Sequence, residues 1–66
     1  MPKTLEELAE MIAKRDGISY TEAMSAVRDC AAEMELAFFN GSLDEVEDIL
    51  RDTLSLEPDY LDLFIF

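Results

Sequence analysis

The sequence predicts an all-α fold, a small bundle of three helices at about residues 5–15, 20–39 and 43–54 with a short C-terminal helix at about 58–64. Three observations carry that expectation. A hydroxyl stands three residues ahead of a glutamate at Thr4-Leu5-Glu6-Glu7, Ser19-Tyr20-Thr21-Glu22 and Ser42-Leu43-Asp44-Glu45. This is the capping-box pattern: the side-chain oxygen takes one backbone N–H that lacks an intrahelical partner, and the Glu reaches back for another. The apolar residues between these starts recur at helical rather than alternating spacing. Gly17, Asn40-Gly41 and Pro58 punctuate the chain where helices should stop or restart.

The first helix should bury Leu5, Leu8, Ala9 and Ile12, with Glu10 placed to pair with Lys14 four residues on. Lys14 and Arg15 suit its negative C-terminal end. Gly17 supplies a left-handed closing residue, and Ile18 sits where a hydrophobic staple precedes the next cap.

The second helix is the central column, spanning roughly 30 Å at about 1.5 Å per residue. Tyr20, Met24, Val27, Ala31, Met34 and Phe38 step along it as a seam, widened by Ala23, Cys30 and Ala37. A second stripe, Ala32, Leu36 and Phe39, lies on a face rotated away from the first. Either another part of the chain folds over it or it forms a dimer interface.

The third helix should turn Leu43, Val46, Ile49, Leu50 and Leu54 inward and present Asp44, Glu45, Asp48 and Asp52 as an outer acidic strip. Ser55-Leu56-Glu57 reads as a loop. After Pro58 the ending Leu61-Asp62-Leu63-Phe64-Ile65-Phe66 is apolar on every side of a helix, so it is either taken into the core or kept for a partner.

Sixty-six residues form one domain near the lower limit for a self-sufficient core. The usual reinforcements can be checked by counting. With one cysteine, Cys30, and no histidine, the chain can close no internal disulfide and has no conventional zinc set, which leaves self-association or a partner. The free thiol suits a reducing cytosol. The acidic N-terminal segment is unlike a secretory signal, and no run approaches the ~20 apolar residues that span a bilayer, so a soluble cytoplasmic protein is expected. A hydrophobic fraction of 50% is too high for a disordered acidic tail.

Net charge is −11 and unevenly placed, with four bases against six acids in residues 1–30 but Arg51 alone against ten acids in residues 31–66. Nucleic-acid phosphates and anionic membranes should be repelled, and basic protein surfaces attracted. The acids expected to meet such a partner are Asp44, Glu45, Asp48, Asp52, Asp59 and Asp62. The apolar residues expected to hold it are Ala32, Leu36, Phe39, Leu61, Phe64 and Phe66. Enzymatic chemistry is not expected: there is no His, Cys30 falls within the seam, and no Ser stands beside a plausible base. The acids around residues 44–52 lack the alternating oxygens and central Gly of a calcium loop, and neither Gly belongs to a phosphate loop, so no cofactor is expected.

From Lys3 to Gly41 the chain resembles the helical half of the HU/IHF family of DNA-architectural proteins, through Glu7-Leu8, Ile12-Ala13, Gly17-Ile18-Ser19, Glu22-Ala23, Ala26-Val27 and Gly41. The resemblance implies a helical hairpin and a homodimer. That family's β-sheet and basic DNA-gripping arms have no counterpart here, because an acidic helix and tail follow instead, so DNA binding is not implied. The whole chain, including Leu54-Ser55-Leu56-Glu57-Pro58-Asp59-Tyr60-Leu61, is similar to the short acidic helical proteins of bacteriophages and mobile elements. That likeness implies a bacterial host cell and, by analogy with some proteins of that class, inhibition of a nucleic-acid-binding host protein by imitation of DNA. Tyr60-Leu61-Asp62-Leu63-Phe64 resembles the Gln-Leu-Asp-Leu-Phe peptide captured by bacterial sliding clamps, with Tyr in place of Gln. The alternative is that Leu61 and Phe64 pack the terminal helix onto the core.

Overall fold

Three α-helices, α1 (Leu5–Asp16), α2 (Tyr20–Phe39) and α3 (Leu43–Leu54), are followed by a 3-10 helix at Pro58–Phe64, with no strand among the described residues. The coordinates are a computed structural model and describe residues 2–64. α2 sets the long axis of a body measuring 33 × 20 × 17 Å. α1 and α3 both pack against α2, and the 3-10 helix packs against α3. The first helix runs one residue further than expected, through Asp16.

The local signals act at atomic detail at two starts and both interhelical turns. Thr4 Oγ1 accepts from Glu7 N at 3.1 Å, and Ser19 Oγ accepts from Glu22 N at 3.1 Å. The Glu7 carboxylate also reaches back, beyond the cap residue itself, to accept from Lys3 N at 2.8 Å. Gly17 closes α1 in the left-handed region at φ 68°, and the Ile18 N–H returns to the Ala13 carbonyl at 3.1 Å. At the end of α2, Gly41 at φ 78° allows Gly41 N to reach Phe38 O and Ser42 N to reach Ala37 O, both at 3.0 Å, which completes a Schellman motif.

That motif disables the third capping box. Ser42 spends its N–H on the closure of α2, and its backbone is held at φ −104°, ψ 74°. The working caps, Thr4 and Ser19, have ψ of 164° and 158°. Ser42 therefore starts α3 through its carbonyl, which accepts from Val46 N at 3.1 Å, and makes no side-chain cap bond.

The core comprises Leu8, Ala9 and Ile12 of α1, Ala23, Val27, Cys30, Met34 and Ala37 of α2, Val46, Leu50 and Leu54 of α3, and Leu56 and Phe64 beyond. This corrects the expected seam of α2. Its buried line runs through Ala23, Val27, Cys30, Met34 and Ala37, while Met24 and Ala31 are half-buried and Tyr20 and Phe38 are exposed. Small residues at Ala23, Cys30 and Ala37 let neighbouring elements approach the α2 backbone, and the bulky rings fall at the margins. Leu43, expected inward, is 63% exposed because it opens α3 before that helix has turned onto the core. Glu10 and Lys14 are both exposed, and no ion pair joins them among the described residues.

α3 ends on Ser55, a non-glycine residue at φ 56°, ψ 43°. The left-handed turn sends Leu56 back into the core, so the expected loop contributes a buried side chain. The tail then docks through Phe64, which is 3% exposed, with Tyr60, Leu61 and Leu63 half-buried against the same core.

Candidate functional site

The outer surface of α2 is the part of the molecule that folding leaves unexplained. At about 100° per residue, Ala32, Leu36 and Phe39 fall on a line about 170° from the buried line of Ala23, Val27, Cys30, Met34 and Ala37. A helix in a bundle of this size buries one face, and α1 and α3 both pack on α2. Among the described residues the outward line is therefore uncovered, and neither α3 nor the Pro58–Phe64 helix folds over it, contrary to the first of the two expectations for this stripe. Leu36 is 67% exposed and Phe39 is 71% exposed. Burial of one such side chain is worth roughly 1.5–3 kcal/mol, which both residues forgo in the isolated chain.

Ala32, Glu35, Leu36 and Phe39 together line one shallow, mainly apolar hollow. The Phe39 ring is steadied by Phe38, the two standing edge to face with centroids 6.1 Å apart. Carboxylates border the hollow on both flanks: Glu33 lies about 60° to one side of Leu36 and Glu35 about 100° to the other, both exposed. The sequence indicated the stripe but missed the exposure of Tyr20, Phe38 and Leu43. Measuring helical angles from the small residues of α2, rather than from its largest apolar ones, would have found Phe38.

The expected acidic residues Asp44, Glu45, Asp48, Asp52, Asp59 and Asp62 are all exposed, but they occupy different settings. Asp44 and Glu45 lie beside a shallow depression shared with Gly41, Ser42 and Leu43 at the α2–α3 corner. Asp48 and Asp52 bracket Arg51, whose Nη2 is 2.7 Å from Asp48 Oδ1 and whose Nε is 3.6 Å from Asp52 Oδ1. The lone base of the C-terminal half is thus already engaged by its own helix. Asp59 and Asp62 ride on the 3-10 helix. Of the apolar residues expected at an interface, Leu61 and Phe64 are in or against the core, and Phe66 lies outside the described residues. A groove that captured the Tyr60–Phe64 segment would first have to withdraw Phe64 from the interior.

Arg15 grips Asp16 with two hydrogen bonds, Nε to Oδ1 at 2.8 Å and Nη2 to Oδ2 at 3.0 Å. That fork holds the Asp16 carboxyl below its ordinary value and raises the guanidinium. Cys30 is fully buried, and desolvation, followed by the nearby charge of Glu33, pushes its thiol up to about 11 against a hydrogen bond from Thr53 that lowers it. Such a thiol is protonated at neutral pH and is a poor nucleophile. Among the described residues there is no group of three or more His, Cys, Asp or Glu able to hold a metal ion, and no helix long and apolar enough to cross a membrane.

No protein-family model, curated protein or solved structure matches this chain.

Proposed function

We propose that the protein is an acidic interaction module that binds a basic protein partner, with an apolar hold on the outer face of α2 and electrostatic attraction from the C-terminal half. The observation that supports this most directly is the exposure of Leu36 and Phe39 on the side of α2 opposite the core, between Glu33 and Glu35. Long-range attraction accelerates encounter, and desolvated apolar anchors slow release. A partner that itself binds nucleic acid is the natural class, since a surface built for phosphates accepts carboxylates spaced along a helix. In that case the module acts as a DNA mimic.

The spacing of the stripe supports a second reading, a homodimer. Ala32 and Phe39 flank Leu36 at nearly equal distances, so in an antiparallel two-fold pairing each large ring would fall on the other copy's small residue. The two readings respond to salt with opposite sign. Attraction to a basic partner weakens as salt rises, whereas two copies of a chain with net charge −11 repel and associate better when screened. Affinity capture from a bacterial lysate on the immobilised full chain should enrich basic, nucleic-acid-binding proteins that elute with salt and are lost from a Leu36→Ser/Phe39→Ser column. Sedimentation of the free chain at low and high salt tests the dimer.

A further inference from the structure

Resting on the reading of this protein as a module for basic partners, we infer that the Ala32–Leu36–Phe39 face seats a basic amphipathic helix of the partner, about two turns of which make direct contact. The apolar line runs seven residues along α2, about 10 Å at 1.5 Å per residue, which matches the span of an i, i+3 or i+4, i+7 set of anchors on an incoming helix. Its relief suits ridge-into-groove docking: Ala32 is a low point, Leu36 and Phe39 are raised, and the hollow between them with Glu35 is open to solvent.

Charge selects the occupant. Glu33 and Glu35 stand on opposite flanks of the line, so a Leu-rich ridge bordered on both sides by Lys or Arg fits, and an acidic or phosphate-bearing ligand does not. Arg28 lies on the Glu35 side beyond Ala32, beside Asp29, which makes that end of the face close to neutral. Asp44 and Glu45 follow the opposite end. The partner helix therefore carries its bases toward the Phe39 end. An extended peptide has no sheet edge to join among the described residues. A second copy of this chain in the antiparallel arrangement would bring Glu35 against its own counterpart, so the charge that welcomes a basic helix opposes self-pairing.

The test uses the full chain and a dye-labelled synthetic helix of about four turns made of Leu and Lys, with Leu at i, i+3, i+7 and i+10 spacing, beside a scrambled peptide of identical composition. Fluorescence anisotropy at low and high salt is read for the wild type, Leu36→Ser/Phe39→Ser and Glu33→Gln/Glu35→Gln, all exposed positions whose folding is checked by circular dichroism. The striped peptide should bind about tenfold more tightly than the scrambled one, and the Leu36→Ser/Phe39→Ser pair should erase that difference. Added salt and the Glu pair should weaken binding severalfold while keeping the preference. Equal, salt-sensitive binding of both peptides, unchanged by Leu36→Ser/Phe39→Ser, overturns the seat but leaves the acidic-module reading standing. Failure of both peptides to bind at low salt overturns both. A wild-type dimer that Leu36→Ser/Phe39→Ser converts to monomer makes a second copy the occupant and overturns the inference.

Discussion

The Tyr60 hydroxyl donates to the Met11 sulfur at 3.8 Å, a weak bond that joins the 3-10 tail to the first helix across 49 residues of chain. Around it Arg15, Leu56 and Glu57 complete a shallow cleft, so the last described turn touches both ends of the bundle's connectivity. The tail is consequently structural as far as Phe64.

Removing only the bond should matter little: Tyr60→Phe keeps the ring and is expected to cost under about 1 kcal/mol. Phe64→Ala should cost about 3–5 kcal/mol, a large share of what a domain this small possesses, and leave it mostly unfolded. Thermal melts followed by circular dichroism separate the two. A Phe64→Ala protein as stable as the wild type would show that the tail merely rests on the surface.

The caps should rank in an order that their sequences do not suggest. Thr4→Ala and Ser19→Ala each remove a made hydrogen bond and should lower stability by about 1 kcal/mol. Ser42→Ala, drawn from an identical-looking motif, should change it by no more than a few tenths, because the hydroxyl caps nothing. Urea midpoints for the three variants provide the comparison.

Ser55 adopts a left-handed conformation that costs an L-residue roughly 1–2 kcal/mol and glycine almost nothing. Ser55→Gly should therefore stabilise the protein by up to about 1 kcal/mol after glycine's unfolded-state entropy, raising the midpoint by roughly 4–8 °C per kcal/mol. Ser55→Val should do the reverse. A drop on Ser55→Gly would mean that the hydroxyl, rather than the backbone, is what the turn requires.

Cys30 ties stability to alkaline pH. Its thiol moves from 9.0 to about 11 on folding, chiefly through burial, so the folded state holds the proton more tightly than the unfolded state. The associated stabilisation is complete below pH 9.0, is lost as pH climbs toward about 11, and amounts to roughly 3 kcal/mol. The measured quantity is the stability difference between the wild type and Cys30→Ala, which should narrow across that window. A constant difference would place the thiol in contact with water.

Helix spans were legible because caps and left-handed glycines act within a few residues of themselves, so Thr4, Gly17, Ser19 and Gly41 could be read without knowing what surrounds them. Burial was less legible. Tyr20, Phe38 and Leu43 look like core by hydropathy, yet the buried line of α2 runs through Ala23, Val27, Cys30, Met34 and Ala37 and leaves its rings at the margin. Ser42 reads as a cap until the preceding turn claims its N–H, and Leu56 reads as loop until the turn at Ser55 redirects it inward. The outer stripe of α2 was visible as a pattern. Its lack of cover was not, since that depends on both neighbouring helices packing on the other side.

The opposed faces of α2 give the chain a division of labour among its mutations. Substitutions at Ala23, Cys30 or Ala37 change how near the other elements can lie, whereas substitutions at Ala32, Leu36 and Phe39 touch none of those contacts. Selection can therefore rewrite one list of residues while holding the other fixed, so the outward face can change without revisiting the fold. The same independence makes α2 a small display scaffold, on which a new recognition stripe can be written by choosing outward residues alone.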